Sequence, residues 1–133
     1  NDPTIFTLSI HGENNFPFKK EASDLDLGLA DGCNDHTYLQ TLAHSLEALE
    51  MRFHPDFVIY LAGADPHEGD RLGRLNLTSA GMQLRDQAVF QYALDRQIPV
   101  AFSMAGGYGK DIQSTVEIHL QTIQTALEFQ QRY

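Results

Sequence analysis

Residues 57–75 read FVIYLAGADPHEGDRLGRL. The first seven positions are apolar or small in succession, which suits a parallel strand covered on both faces. The run stops at Gly63, and Asp65, Glu68 and Asp70 follow in close order. In open sheets of alternating strands and helices, ligands sit beyond the carboxyl ends of the strands, so these carboxylates fall where chemistry is done. Clustered carboxylates repel one another unless a cation or a proton is shared, and the loop therefore suits a divalent metal or acid-base work. A solvated acidic loop neutralised by Arg71 and Arg74 has the same pattern. Asp65-Pro66-His67 has the one-apart spacing of a metal pair, but two ligands are fewer than a zinc site needs.

The elements on either side give this strand its context. Downstream, Thr78 or Ser79 caps a helix to about Arg96, with Met82, Val89, Phe90 and Ala93 inward despite Gly81. IPVAFSM (98–104) is another buried strand, AGGYG a glycine-rich turn, and 111–131 a last helix carrying Val116, Leu120, Ile123 and Leu127. Upstream, Asn34 or Asp35 caps a helix through Phe53, because Leu39, Leu42, Leu46 and Leu49 recur at three- and four-residue spacing. IFTLSI (5–10) reads as a strand ending where His11 and Gly12 begin a polar loop, and Leu25, Leu27 and Leu29 alternate as in a short edge strand. Strands alternating with helices predict an α/β domain over residues 1–133, with a mainly parallel sheet of three to four strands flanked by helices. His11, the Asp65 loop and Gly106-Gly107-Tyr108 then share one rim.

Composition narrows the partners. A chain of 133 residues with 42% hydrophobic content buries one ordinary core. Eighteen acidic against nine basic residues give a formal charge of −9, which repels phosphate backbones and anionic membranes and favours basic ligands or peptides over nucleic acid. The single cysteine, Cys33, allows no internal disulfide and fits a reducing cytoplasm. No apolar run is long enough to cross a bilayer, and NDPTIF has no signal pattern. The chain starts without methionine and almost directly on a strand-like run, so further sequence upstream is expected.

The remaining motifs are less decisive. GGYG can cradle an anion through successive amides, or it can simply permit a tight turn from strand to helix. With no GxGxxG and no GxxxxGK[ST], a nucleotide-binding flavodoxin-like domain has no phosphate loop. Tyr108, flanked by glycines, has room to swing. His11 suits a ligand, a base, or a ring bonded to a loop carbonyl. Ser9 lacks the glycine elbow of a nucleophile. Phe16 and Phe18 either flank a pocket mouth or anchor their loop to the core. His36, His44, His54 and His119 share no metal spacing and read as surface or boundary residues.

SIHGENNFPF, SDLDLGLADGCND, YLAGADPHEGDRLGRL and IPVAFSMAGGYG together resemble the histone deacetylase superfamily, most closely its bacterial acetoin-utilisation and class IV-like branch. The resemblance implies a partial arginase/deacetylase-like fold and a zinc-dependent hydrolase acting on N-acetyl-lysine or acetylated amines. Within it, Asp65 matches the last zinc-ligating aspartate and Tyr108 the tyrosine that hydrogen-bonds the substrate carbonyl and its oxyanion. Ser9 and the Ile10 carbonyl match a structural site for a monovalent cation such as potassium. Phe16 matches a tunnel wall, and His11, Gly106 and Gly107 lie along the substrate pocket. The family's D-x-H zinc pair and His-His dyad, which belong upstream of SIH, have no counterpart in these residues. The resemblance thus covers the C-terminal portion of a deacetylase, inactive alone and completed by an N-terminal half or by a homo-oligomer. The alternative is a non-catalytic binding or assembly module that keeps half the fold.

Overall fold

Each helix begins where a side chain takes up an amide that the first turn leaves without a partner. Asn34 Oδ1 accepts from Thr37 N (3.1 Å), Thr78 Oγ1 from Gly81 N (3.0 Å) and Asp111 Oδ1 from Gln113 N (3.1 Å). The structure is a computed structural model and describes residues 2–133. In chain order the elements are β1 (Leu8–Gly12), β2 (Leu25–Leu29), α1 (Asp35–Arg52), β3 (Val58–Ala62), α2 (Ser79–Asp95), β4 (Val100–Met104) and α3 (Ile112–Gln130). All three helices and all four strands lie where the sequence predicts them, within a few residues. β1 starts later than expected because Thr4 folds back on Asp2, and it runs on through His11 and Gly12, which pair with Gly28 and Leu29.

The α/β class and the parallel strands are as expected, but the sheet is divided. β1 pairs with β2, with Leu8 opposite Leu25, and β3 pairs with β4, with Val58 opposite Val100. These are two two-stranded parallel sheets in place of one sheet of three to four strands. α1, which connects the pairs, packs on α2 and β2, so side chains rather than a backbone ladder join them. The first core cluster shows this: Leu29 of β2, Tyr38 and Leu42 of α1, Met82 and Val89 of α2 and Ile118 of α3 meet in it. A second cluster sets Phe90, Leu94 and Phe129 against Tyr60, Val100 and Phe102. Asp35 fastens the two helix starts together, accepting from Thr78 N (2.8 Å) and Thr78 Oγ1 (2.7 Å).

Two expectations about burial are corrected. β3 and β4 are covered on one face only. Tyr60, Val100 and Phe102 pack on the second cluster, while Ile59 and Leu61 are 73% and 66% exposed and Ala101, Ser103 and Met104 also face out. α3 is turned over relative to its apolar stripe: Thr115, Ile118, Thr122, Thr125 and Phe129 are its buried residues, whereas Val116, Leu120, Ile123 and Leu127 are 41–54% exposed. Small threonines on α3 suit its close packing on α2, and one of them satisfies a buried charge.

That charge belongs to a polar knot under β3. Asp86 Oδ1 accepts from Tyr60 Oη (2.5 Å) and Arg85 Nε (2.9 Å), and Asp86 Oδ2 accepts from Thr122 Oγ1 (2.6 Å). Arg85 Nη2 lies 2.8 Å from Asp86 Oδ1, and both side chains are almost fully buried. Burial, ahead of every charge around it, pushes the Tyr60 phenol well above its ordinary pKa, so this hydroxyl stays a donor. Removing one member of a buried ion pair leaves the other charge uncompensated, and Asp86→Ala is expected to cost about 3–5 kcal/mol in urea unfolding. Tyr60→Phe, which deletes one hydrogen bond to a charged acceptor, should cost about 1.5–3 kcal/mol. A smaller loss for Asp86→Ala than for Tyr60→Phe would contradict this ranking.

Candidate functional site

The site is built where β3 stops. Arg85 Nη1 donates to Gly63 O (2.6 Å), and Ala64 N donates to Gly106 O (2.5 Å), which ties the end of β3 to the turn after β4. Between these ties lies the Asp65 carboxylate. A Cβ on Gly106 would come within 2.7 Å of Asp65 Oδ1, and one on Gly63 would collide with the same oxygen. The two glycines therefore serve close approach. Among the described residues the glycine with a positive φ is Gly32 (76°), so the GGYG turn does not draw on left-handed backbone.

Asp70 and Arg71 stitch the Asp65 loop to that turn. Asp70 Oδ1 accepts from Leu72 N (2.8 Å) and Gly73 N (2.6 Å), and its Oδ2 accepts from Tyr108 N (2.5 Å). Tyr108 O accepts from Arg71 N (3.0 Å) and Arg71 Nε (3.2 Å), and Lys110 N donates to Gly69 O (2.9 Å). The tyrosine's backbone is thus clamped while its side chain is 56% exposed, a phenol presented on a fixed base. His67 is spent locally: its Nδ1 accepts from Gly69 N (3.1 Å), and its Nε2 lies 3.2 Å from Ser79 Oγ. Glu68 is exposed. Of the three carboxylates that ended the strand, Asp65 alone is half-buried and free of a structural duty of this kind.

Burial raises the Asp65 carboxyl above its usual range, and the Asp70 charge adds to the rise, with Arg85 and His119 opposing it. His119 is a neighbour that the sequence did not single out. Its Nε2 would lie 3.5 Å from a Cβ on Gly107, alongside Ala64 and Thr115, so the imidazole sits under the glycine turn. Its Nδ1 is buried without a hydrogen-bond partner, and burial, then the Arg85 charge, lowers its pKa. Position is the signal that finds it: His119 lies four residues after Thr115 and three before Thr122, on the face that α3 buries.

The other predicted site residues lie apart from this pair in the bonding pattern. His11 Nδ1 is 3.0 Å from Ser9 Oγ, and no hydrogen bond or ion pair among the described residues links either to Asp65 or Tyr108. Ile10 packs against the first core cluster. Phe16 is 77% exposed and meets Phe18 edge-on at 6.3 Å, so neither ring anchors its loop to the core. Lys20 Nζ holds that loop instead, donating to the carbonyls of Glu13, Asn15 and Pro17. Among the described residues no three His, Cys, Asp or Glu side chains converge as a metal site.

Comparison with known proteins agrees with this layout. The histone deacetylase domain model matches residues 1–123. An uncharacterised protein of Picosynechococcus sp. is 50% identical over 118 residues, a match spanning 89% of this chain and 39% of that protein. Histone deacetylase 2 of Arabidopsis thaliana is 33% identical over 112 residues, or 82% of this chain and 29% of the relative. Among solved structures, an HDAC homologue from Aquifex aeolicus superposes with a TM-score of 0.76 at 26% identity, over 92% of this chain and 34% of that one. Acetylpolyamine aminohydrolase from Burkholderia pseudomallei, at 20% identity and a TM-score of 0.69, shares the fold over 89% of this chain and 36% of its own. The chain spans between 29% and 39% of the length of these relatives. The family match over residues 1–123 places the chain in the histone deacetylase family.

Proposed function

We propose that this chain supplies the Asp65 and Tyr108 side of a zinc-dependent deacetylase site, which hydrolyses N-acetyl-lysine or another acetylated amine once residues outside these 133 complete it. The observation that carries the proposal is the shared clamp: the loop bearing Asp65 and the turn bearing Tyr108 are bonded to each other through Asp70 and Arg71. That arrangement holds a desolvated carboxylate and an exposed phenol in fixed relation. Members of the family are generally metal-dependent, and the acidic balance of the chain suits a cationic amine product.

The residues present do not by themselves fit a zinc ion. A catalytic zinc needs about three protein ligands and an open position, and Asp65 is one carboxylate with no converging partners. What the chain's own residues do is narrower. Asp65 offers a carboxylate whose burial disfavours the bare anion, so a cation beside it relieves that cost. Tyr108 donates its phenolic proton in a hydrogen bond to the acetyl oxygen as negative charge builds there. His11, Phe16, Gly106 and Gly107 are assigned to the substrate pocket, with Ser9 and the Ile10 carbonyl assigned to a monovalent cation such as potassium. The base that activates water is not among these residues. A reducing cytoplasm suits the single free thiol, Cys33. No helix among the described residues is long and apolar enough to cross a membrane.

A second reading, a non-catalytic binding or assembly module, is favoured by one observation: the outer faces of β3 and α3 are apolar and uncovered. Turnover separates the two readings. A fluorogenic acetyl-lysine substrate is offered, with zinc, to the isolated chain and to a chimera in which the chain replaces the matched third of the Picosynechococcus relative. The isolated chain should be inactive. The chimera should be active, losing about 10²–10³-fold in kcat with Tyr108→Phe, the size expected for one oxyanion donor. A folded chimera with no activity on acetyl-lysine or acetylated polyamines would favour the binding module.

Asp65 also makes a prediction in pH. Its folded pKa is raised, so between the unfolded carboxyl value of about 3.9 and the folded one the native chain binds the extra proton. Stability is therefore highest below that window and falls as pH rises through it. Asp65→Asn, in the presence of a chelator, should raise the Tm of the isolated chain at pH 7 and give no gain near pH 3.5. An equal shift at both pH values would show that desolvation of the anion is not the cause.

A further inference from the structure

The uncovered apolar surface has a definite arrangement. On the β3–β4 sheet, Ile59 and Leu61 stand on the face opposite Tyr60, which packs towards α2. In α/β architecture a parallel sheet is covered by helices on both faces, so a strand pair with one bare apolar face lacks a layer. On α3, Val116, Leu120, Ile123 and Leu127 follow one another at spacings of four, three and four, the alternation that seats one helix against another. These four lie away from Thr115, Thr122 and Thr125, which are already buried on the inner face. Single exposed apolar side chains need no explanation, but a sheet face and a helical seam together are the mark of an interface.

We infer that these two faces, built around Ile59 and Leu61 on β3 and Leu120 and Ile123 on α3, dock the remainder of a deacetylase-family fold, carried on the same polypeptide or another. The length of the matching proteins supports this occupant. The chain superposes on 34% of the Aquifex aeolicus homologue with a TM-score of 0.76, so the rest of such a fold is about twice its size and is available as a covering layer. A second copy of the chain is the weaker candidate, since each copy carries a formal charge of −9 and association brings two such fields together. The inference uses packing alone and stands whether or not the completed site hydrolyses an acetyl group.

The test compares one substitution in two settings. Leu61→Glu and Leu120→Glu are introduced into the isolated chain and into the chimera with the Picosynechococcus relative, and thermal unfolding is followed by circular dichroism. Sedimentation of the isolated chain is measured in parallel. In the isolated chain each substitution should leave Tm within about 2 °C, because surface changes at exposed positions are nearly neutral. In the chimera each should lower Tm by about 5 °C or more, because the new carboxylate is then buried without a partner. Equal and small effects in both settings overturn the inference, as does a chimera that fails to fold cooperatively. An isolated chain that sediments as a dimer and becomes monomeric on either substitution would assign the faces to a second copy instead. Turnover is not read in this experiment, so its failure is distinct from failure of the deacetylase proposal.

Discussion

The buried pair of Arg85 and Asp86 holds the architecture of the site in place. Two adjacent residues on α2 reach in three directions. Asp86 takes the phenol of Tyr60 on β3 and the hydroxyl of Thr122 on α3, and Arg85 reaches the carbonyl of Gly63 where β3 ends. An ion pair so deeply buried gives back much of its Coulombic gain in desolvation, and its contribution to stability is modest beside that of a well-packed apolar cluster. What it fixes is geometry. With the ends of β3 and α3 tied to the same two side chains, the Asp65 loop and the glycine turn above His119 have a common foundation.

Much of this was legible in the sequence, and the failures share a cause. Helix limits followed from capping residues, which act through local amides and need no tertiary knowledge: Asn34, Thr78 and Asp111 each stand where a helix starts. The strand ending at Gly63 and the carboxylate that follows were also readable, because an apolar run and a glycine are local signals. The orientation of α3 was not. Its apolar stripe pointed to Val116, Leu120, Ile123 and Leu127, but the core selected the threonine face, since Asp86 needed a hydroxyl and α2 left little room. The same inversion hid His119, which lies on the side that periodicity would have assigned to solvent. The coverage of β3 on both faces failed similarly, because a continuous apolar run reports what a strand can bury and says nothing about whether a second layer is present.

The two outcomes fit together. The inner halves of β3 and α3 are satisfied within the chain and hold Asp65 and Tyr108, while their outer halves are apolar and bare. A half-built site on a half-covered scaffold is self-consistent: the layer that would cover Ile59, Leu61 and Leu120 is also a place for the metal ligands and base that these residues lack. Asp65, unlike Asp70 and His67, has no network of amides to neutralise it, and its raised pKa expresses the cost of leaving it so.

Zinc stoichiometry by equilibrium dialysis, on the isolated chain and on the chimera with the Picosynechococcus relative, tests most directly whether Asp65 is one ligand of a site completed elsewhere. The isolated chain should retain far less than one zinc per molecule at micromolar metal, and the chimera should retain one that Asp65→Ala releases. One zinc held stoichiometrically by the isolated chain, or a chimera whose zinc is indifferent to Asp65→Ala, would contradict it.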